Sequence, residues 1–255
     1  PHNTIVKLIS DAVRSKNYSS LAKLPGNYNI LVKDDAGTYI FTDNASFRPV
    51  FYVKHDSFII YSSLGIALHQ LVGAKLNKQW LATYLICSTL AELLQSQSPF
   101  EGIEAIPPCH VLQVSPEKVV CEKYCNLPQG DITGEEAAEQ LRQHLLTAIE
   151  LRVDLQDRIT SDLSGGVDST SLSMIAAKNL ATKGQDLHTI TVEGPEATTS
   201  EDIERAHHAA QFYPNIRQVL VKRHEFREPF SILEKIPLTD EPAAALLKMG
   251  KFRHV

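Results

Sequence analysis

The stretch Ser164-Gly165-Gly166-Val167-Asp168-Ser169 sits between a strand-like run, Arg158-Ile159-Thr160-Ser161-Asp162-Leu163, and a helix-like run, Thr170-Ser171-Leu172-Ser173-Met174-Ile175-Ala176-Ala177. Two glycines at a strand-to-helix corner permit positive φ and let backbone amides approach a ligand closely. The N–H groups that open the following helix have no intrahelical partner and can receive an anion, of which phosphate is the obvious one. Ser164, Ser169 and Thr170 add hydroxyl donors. Asp168, a carboxylate beside a phosphate cradle, makes chemical sense if a divalent cation lies between the two negative charges. A Gly-Gly pair alone marks only a turn; the whole string reads as a nucleotide site with magnesium. It is not a Walker A loop, because no Lys follows the glycines, and it lacks the third glycine of a dinucleotide fingerprint.

The residues downstream extend the pattern. Leu187 to Val192 predicts a second strand, Ser200-Glu201-Asp202 caps a helix running to about Phe212, and Ile216 to Val221 predicts a third strand. Upstream, Thr133 with Glu136 three positions on has the form of a capping box, opening a helix through Leu141, Leu145, Ile149 and Leu151. Strands alternating with helices imply a Rossmann-like parallel sheet with helices on both faces. Ligands of such sheets lie at the carboxyl ends of the strands, where the loop falls.

The N-terminal part follows a different rhythm. Helical spacing of Ile5, Val6, Leu8, Ile9, Ala12 and Val13, then Tyr18, Leu21 and Leu24, predicts one or two amphipathic helices ended by Pro25-Gly26. Alternation and turn residues then predict hairpins over 28–42, 50–62 and 110–123, which form an antiparallel sheet. Leu64 to Leu71 and Gln79 to Leu94 read as helices. Polar residues around Pro128 mark a linker. The domains expected are 1–127, an α+β sheet domain, and 128–255, an α/β domain.

Composition sets the class. The 255 residues are 43% hydrophobic and 22% charged, ordinary for a globular protein, with a formal net charge of -5. No basic field advertises a nucleic-acid partner, and no apolar run approaches the roughly 20 residues of a membrane span. Cys87, Cys109, Cys121 and Cys125 show no C-x-x-C spacing, and no signal-like segment is present, so a reducing cytoplasm is the compartment expected. Cys121 and Cys125 have no His or second pair at a zinc-like spacing.

Ser164 to Ser169 resembles the SGGxDS pyrophosphate loop of the ATP-pyrophosphatase (adenine nucleotide alpha hydrolase) superfamily. Three further stretches make the chain resemble the asparagine synthetase family in order: Thr42 to Tyr52 resembles its "RDxxGxRPLYY" hairpin, Phe100 to His110 its "GIxxLPPGH", and Thr239-Asp240-Glu241-Pro242 its acidic "DEP". The resemblance implies an Ntn-type amidotransferase-like domain followed by an ATP-pyrophosphatase domain. It also implies ATP and Mg2+, activation of a carboxylate as an acyl-adenylate with release of pyrophosphate, and attack of an amine to form an amide. Ser164, Ser169 and the loop amides would neutralise the leaving pyrophosphate, and Asp168 would hold magnesium. Leu163, Gly165, Gly166 and Val192 are matched to positions that line the nucleotide, and Asp240 and Glu241 to acids near the reacting groups.

The departures are informative too. Residue 1 is Pro where a working glutaminase half has a cysteine nucleophile, so this half is expected to be inactive, and Asp43, matched to a glutamine-contacting aspartate, reads better as a hairpin residue. Ser46 and Cys109 replace family glycines. Neither the later "GxGGD" stretch nor the downstream catalytic lysine occurs, and the chain reads as a fragment of a longer polypeptide, incomplete at its C-terminus.

Ser161-Asp162, with the "YPNIRQVLV" strand and "LTDEP", looks more like the lasso-peptide macrolactam cyclase branch. There the substrate is a precursor peptide, and a leader peptidase or recognition protein is the expected partner. Asparagine synthetase acting on aspartate, and β-lactam synthetase, are the enzyme alternatives. A catalytically incomplete scaffold or peptide-binding subunit is the alternative of another class. His207-His208 read as surface histidines whose rings cannot share a metal, and Lys222, Arg223, His224 and Arg227 as a solvated basic face.

Overall fold

The computed structural model describes residues 2–24, 26–55, 58–94, 96–126, 130–154, 158–194, 200–222 and 240. Two compact units divide the chain: residues 1–129 with 237–242, and residues 130–236 with 243–255.

In the first unit the order is α1 (His2–Ser15), a 3-10 turn (Tyr18–Lys23), β1 (Asn29–Asp34), β2 (Gly37–Thr42), β3 (Phe51–His55), β4 (Phe58–Ser62), α2 (Gly65–Val72), α3 (Lys78–Ile86), α4 (Ser88–Ala91), β5 (Glu104–Ala105), β6 (His110–Val114) and β7 (Val119–Lys123). The hairpins occur as expected, yet they belong to two antiparallel sheets rather than one, ordered β1-β2-β6-β7 and β4-β3-β5. The two-residue strand β5 pairs Phe51 with Ala105 and is too short to carry a periodic signal. The helix expected over 79–94 breaks at Cys87, which takes an extended conformation.

Period-two alternation places these sheets in layers. Tyr39 and Phe41 of β2 face one way, into a cluster with Ala12, Val13, Tyr18 and Leu21 of the N-terminal helices. Ile40 faces the other way, with Leu112 of β6, against Val50, Tyr52 and Ile106. Phe51 and Val53 then turn outward to Leu68 of α2, Phe100 and Ile103. The layers are therefore helix, sheet, sheet and helix. Leu21, Phe41 and Leu112 have no exposed surface, and each such side chain stabilises the unit by about 1.5–3 kcal/mol.

In the second unit the order is α5 (Gly134–Val153), β8 (Thr160–Asp162), α6 (Val167–Thr182), β9 (Leu187–Glu193), α7 (Ser200–Phe212) and β10 (Ile216–Lys222). Thr133 and Glu136 form the expected capping box, with the Thr133 Oγ1 accepting from Glu136 N–H and the Glu136 carboxylate accepting from Thr133 N–H. The strands form a parallel sheet in the order β10-β9-β8. Each crossover joins adjacent strands in one direction, and right-handed connections put both helices on one face; α6 and α7 accordingly touch each other. This corrects the expectation of helices on both faces for the described strands. Val153, Ala176, Ala177, Leu180, Leu187 and Ile216 make the core beneath them. Among the described residues no helix is long and apolar enough to cross a membrane.

Candidate active site

The corner between β8 and α6 is held from both ends. Leu163, fully buried, continues the parallel pairing by donating its N–H to Ile190 O at 2.9 Å. Its carbonyl accepts the Thr191 hydroxyl at 2.6 Å. Val192 follows on β9, half-buried, so Leu163 and Val192 lie at the carboxyl ends of neighbouring parallel strands.

The loop closes on itself through hydroxyls. Ser164 Oγ and Ser169 Oγ are 2.7 Å apart, Ser164 N–H donates to Ser169 Oγ at 3.2 Å, and Gly166 N–H donates to Ser164 Oγ at 3.4 Å. Gly165 has φ of 84°, and a β-carbon there would fall 1.9 Å from the Asp202 carbonyl oxygen in the first turn of α7. Only glycine satisfies both demands. Gly166 starts α6 without any side-chain cap. The first helical bond is Thr170 N–H to Gly166 O at 3.1 Å, so the amides of Val167, Asp168 and Ser169 precede the helix's bonded ladder and are oriented for an anion.

Asp168 is exposed in the first turn of α6. A single carboxylate beside a phosphate cradle fits Mg2+, which is commonly bound through one or two carboxylates plus substrate phosphates and waters. Among the described residues no cluster of three or more His, Cys, Asp or Glu could hold a metal by protein ligands alone. Phosphate oxygens would have to complete the shell around a cation at Asp168.

The structure thus brings together Leu163, Ser164, Gly165, Gly166, Asp168, Ser169 and Val192. Asp240 lies in the first unit. Its Oδ1 accepts the Ile66 N–H at 2.6 Å, at the start of α2. Burial pushes its carboxyl above the ordinary value, against the opposing pull of the Ile66 and Gly65 amides. Glu241, Arg223, His224 and Arg227 lie outside the described residues. Ser161, singled out for its polarity in a strand, bonds Ser173 Oγ at 2.8 Å, and Ser173, fully buried, donates to Asp162 O. Ser161 thus ties β8 to α6.

Asp202 and Thr191 touch this corner without having been legible as part of it. Asp202 acts through its backbone, which leaves no residue-type signal. Thr191 sits between Ile190 and Val192 as an ordinary strand residue.

In the first unit, Asp43 is buried and both its oxygens accept backbone N–H groups, from Tyr28 and Ala45. Ser46 and Cys109, where the family pattern has glycine, keep left-handed backbones at φ of 49° and 61°. Cys109 is joined to Cys125 by a disulfide. The bridge does not fit the reducing compartment expected from the sequence, and spacing alone does not encode such a pairing.

Comparison with known proteins adds to this geometry. Residues 7–125 match the glutamine amidotransferase domain model, and residues 140–253 match the asparagine synthase model. "Asparagine synthetase [glutamine-hydrolyzing] 3" of Bacillus subtilis (strain 168) is 25% identical over 203 residues, which are 75% of this chain and 31% of that protein. The chain spans about a third of the length of this curated relative. A solved structure of glutamine-dependent NAD+ synthetase from Acinetobacter baumannii with ADP aligns over 85% of this chain and 53% of that one, at 11% identity. Its TM-score is 0.29. The two family models lie one after the other along the chain, each over a separate part of it.

Proposed function

We propose that the Ser164–Ser169 corner is the nucleotide site of an ATP-dependent, AMP-forming amide ligase. The observation that carries this reading is the uncapped start of α6 behind a glycine held at positive φ, with two serine hydroxyls folded over it. The match of residues 140–253 to asparagine synthase supports it.

In this reading a substrate carboxylate attacks the α-phosphorus of ATP, the bond to the β-phosphoryl oxygen breaks, and pyrophosphate leaves. An amine nitrogen then attacks the acyl carbon, loses a proton and expels AMP. The amides of Val167, Asp168 and Ser169 and the Ser164 and Ser169 hydroxyls stabilise the charge that grows on the departing pyrophosphate. The backbones of Leu163 and Val192 border the base. Asp168 would hold Mg2+, whose Lewis acidity polarises the phosphoryl groups.

For the substrate, the "SDLSGGVDST" string and "LTDEP" favour peptide macrolactam formation of the lasso-peptide cyclase kind. A side-chain carboxylate of a precursor peptide would be activated and its own N-terminal amine would attack. A leader peptidase or recognition protein is the partner this reading requires. Asp240 is better read as an anchor on α2 than as an acid in the reaction.

The test is product analysis with a protein that contains this chain. AMP and pyrophosphate, formed only when the acid substrate is present, support adenylation; ADP and phosphate would refute it. Loss of one water from a candidate peptide supports cyclisation, whereas asparagine formation from aspartate would favour the synthetase alternative.

A further inference from the structure

We propose that His207 is a positioning residue for the Ser164–Ser169 loop, acting through Gln218 and Thr191 on the carbonyl of Leu163. Four groups form a continuous line: His207 Nδ1 to Gln218 Oε1 at 3.0 Å, Gln218 Nε2 to Thr191 Oγ1 at 2.8 Å, and Thr191 Oγ1 to Leu163 O at 2.6 Å.

The direction of every bond in that line follows from its far end. A carbonyl only accepts, so the single Thr191 proton is committed to Leu163 O. Thr191 Oγ1 must then accept from Gln218, which places the Gln218 amide nitrogen towards Thr191 and its oxygen towards His207. That oxygen also only accepts, so His207 must carry a proton on Nδ1. The ring is thereby locked in one tautomer by a backbone carbonyl on another strand.

A second contact shows that α7 grips the loop on both sides of Ser164. Through the relay it fixes the carbonyl of Leu163, immediately before Ser164. Through the Asp202 carbonyl it closes against Gly165, immediately after it. His207 and Asp202 belong to the same helix, so the placement of α7 and the shape of the loop are set together. Thr191 is buried, with 1% of its surface exposed; removing His207 leaves its bond to Leu163 O in place but lets the half-buried Gln218 amide turn its donor away from the Thr191 hydroxyl. An unsatisfied buried polar group is costly enough for the loop to relax rather than leave one. His207 therefore acts on the loop through Gln218 and Thr191.

The significance for nucleotide binding rests on the reading of the loop given above, but the positioning itself can be measured without nucleotide. The test is 15N NMR of the 255-residue chain at about pH 8.5, above the ordinary histidine range. His207 is expected to show a protonated Nδ1 and a bare Nε2, and Thr191→Val is expected to release it to a tautomer mixture. His207→Asn, whose amide can still donate to Gln218 Oε1, is expected to keep the Ser164 and Gly165 amide shifts and ATP affinity within about twofold. His207→Leu and His207→Gln are expected to move those shifts and weaken ATP binding about tenfold. An Nε2-protonated ring in the wild type overturns the proposal. Unchanged loop shifts and affinity in both the Leu and Gln variants also overturn it. A wild type that binds no ATP, yet shows the expected tautomer and loop shifts, refutes the nucleotide reading and leaves the positioning role standing.

Discussion

The backbone of Gly165 lies against the Asp202 carbonyl so closely that a β-carbon would sit 1.9 Å from the oxygen, while the same residue holds φ at 84°. Gly184 shares the left-handed backbone, at 67°, but faces open space. The pair separates backbone strain from steric conflict. Gly184→Ala is expected to cost about 1 kcal/mol, the strain alone. Gly165→Ala adds displacement of α7 and is expected to cost about 3 kcal/mol or more. Equal unfolding midpoints for the two variants in urea would contradict the close packing of α7 on the loop.

Asp240 gives a pH test. Its folded-state pKa lies above the ordinary 3.8, chiefly through burial. Its contribution to stability is therefore present in full below about 3.8 and is lost as pH rises through the higher folded value. Asp240→Asn keeps an acceptor for the Ile66 N–H without the charge. The variant is expected to gain stability relative to the wild type between pH 3 and pH 7, read from denaturant midpoints. A difference that is constant across that range would contradict the burial argument.

The disulfide gives a second stability test. Cys109 and Cys125 are separated by 16 residues, and closing a loop of that size stabilises a fold by about 3 kcal/mol in the chain-entropy view. Cys125→Ser is expected to lower unfolding free energy by about that amount, and a reductant should have no further effect on the variant. Titration of all four thiols in the unreduced, denatured protein would contradict the bridge.

Cys121 is expected to be a sluggish thiol despite lying on an exposed strand. Desolvation, then the Glu104 and Glu122 carboxylates, push its pKa up to about 11. Its alkylation rate by iodoacetamide should rise about tenfold per pH unit from neutrality towards pH 11, since the thiolate is the reactive form. A plateau near pH 8.5 would contradict that environment.

Much of this fold is legible in the sequence because it is local. The alternation at 38–42, the Asp34-Asp35-Ala36-Gly37 turn and the Thr133–Glu136 box each contain their own cause within a few residues. The loop is legible for the same reason, since glycines, hydroxyls and Asp168 occupy one corner. What escaped depends on partners far along the chain. Strand β5 exists because Phe51 and Tyr52 offer it an edge. The division of the hairpins into two sheets is decided by whether β2 pairs with β6 or β3. Asp240, read as a reacting acid, finds the Ile66 amide instead. His207, read as a surface residue, becomes half-buried only when β10 brings Gln218 to it.

Residues 164–169 are proposed to bind the phosphates of ATP with Mg2+ at Asp168. The most direct measurement is a titration of the chain with ATP, with and without Mg2+, followed by the backbone amide signals of Gly165 to Ser169. Saturable shifts at these amides are expected, with affinity falling about tenfold in Asp168→Ala when Mg2+ is present and little change between wild type and variant when it is not. Absence of shifts at these amides under millimolar ATP, or an Asp168→Ala variant that binds Mg2+ and ATP as the wild type does, would contradict it.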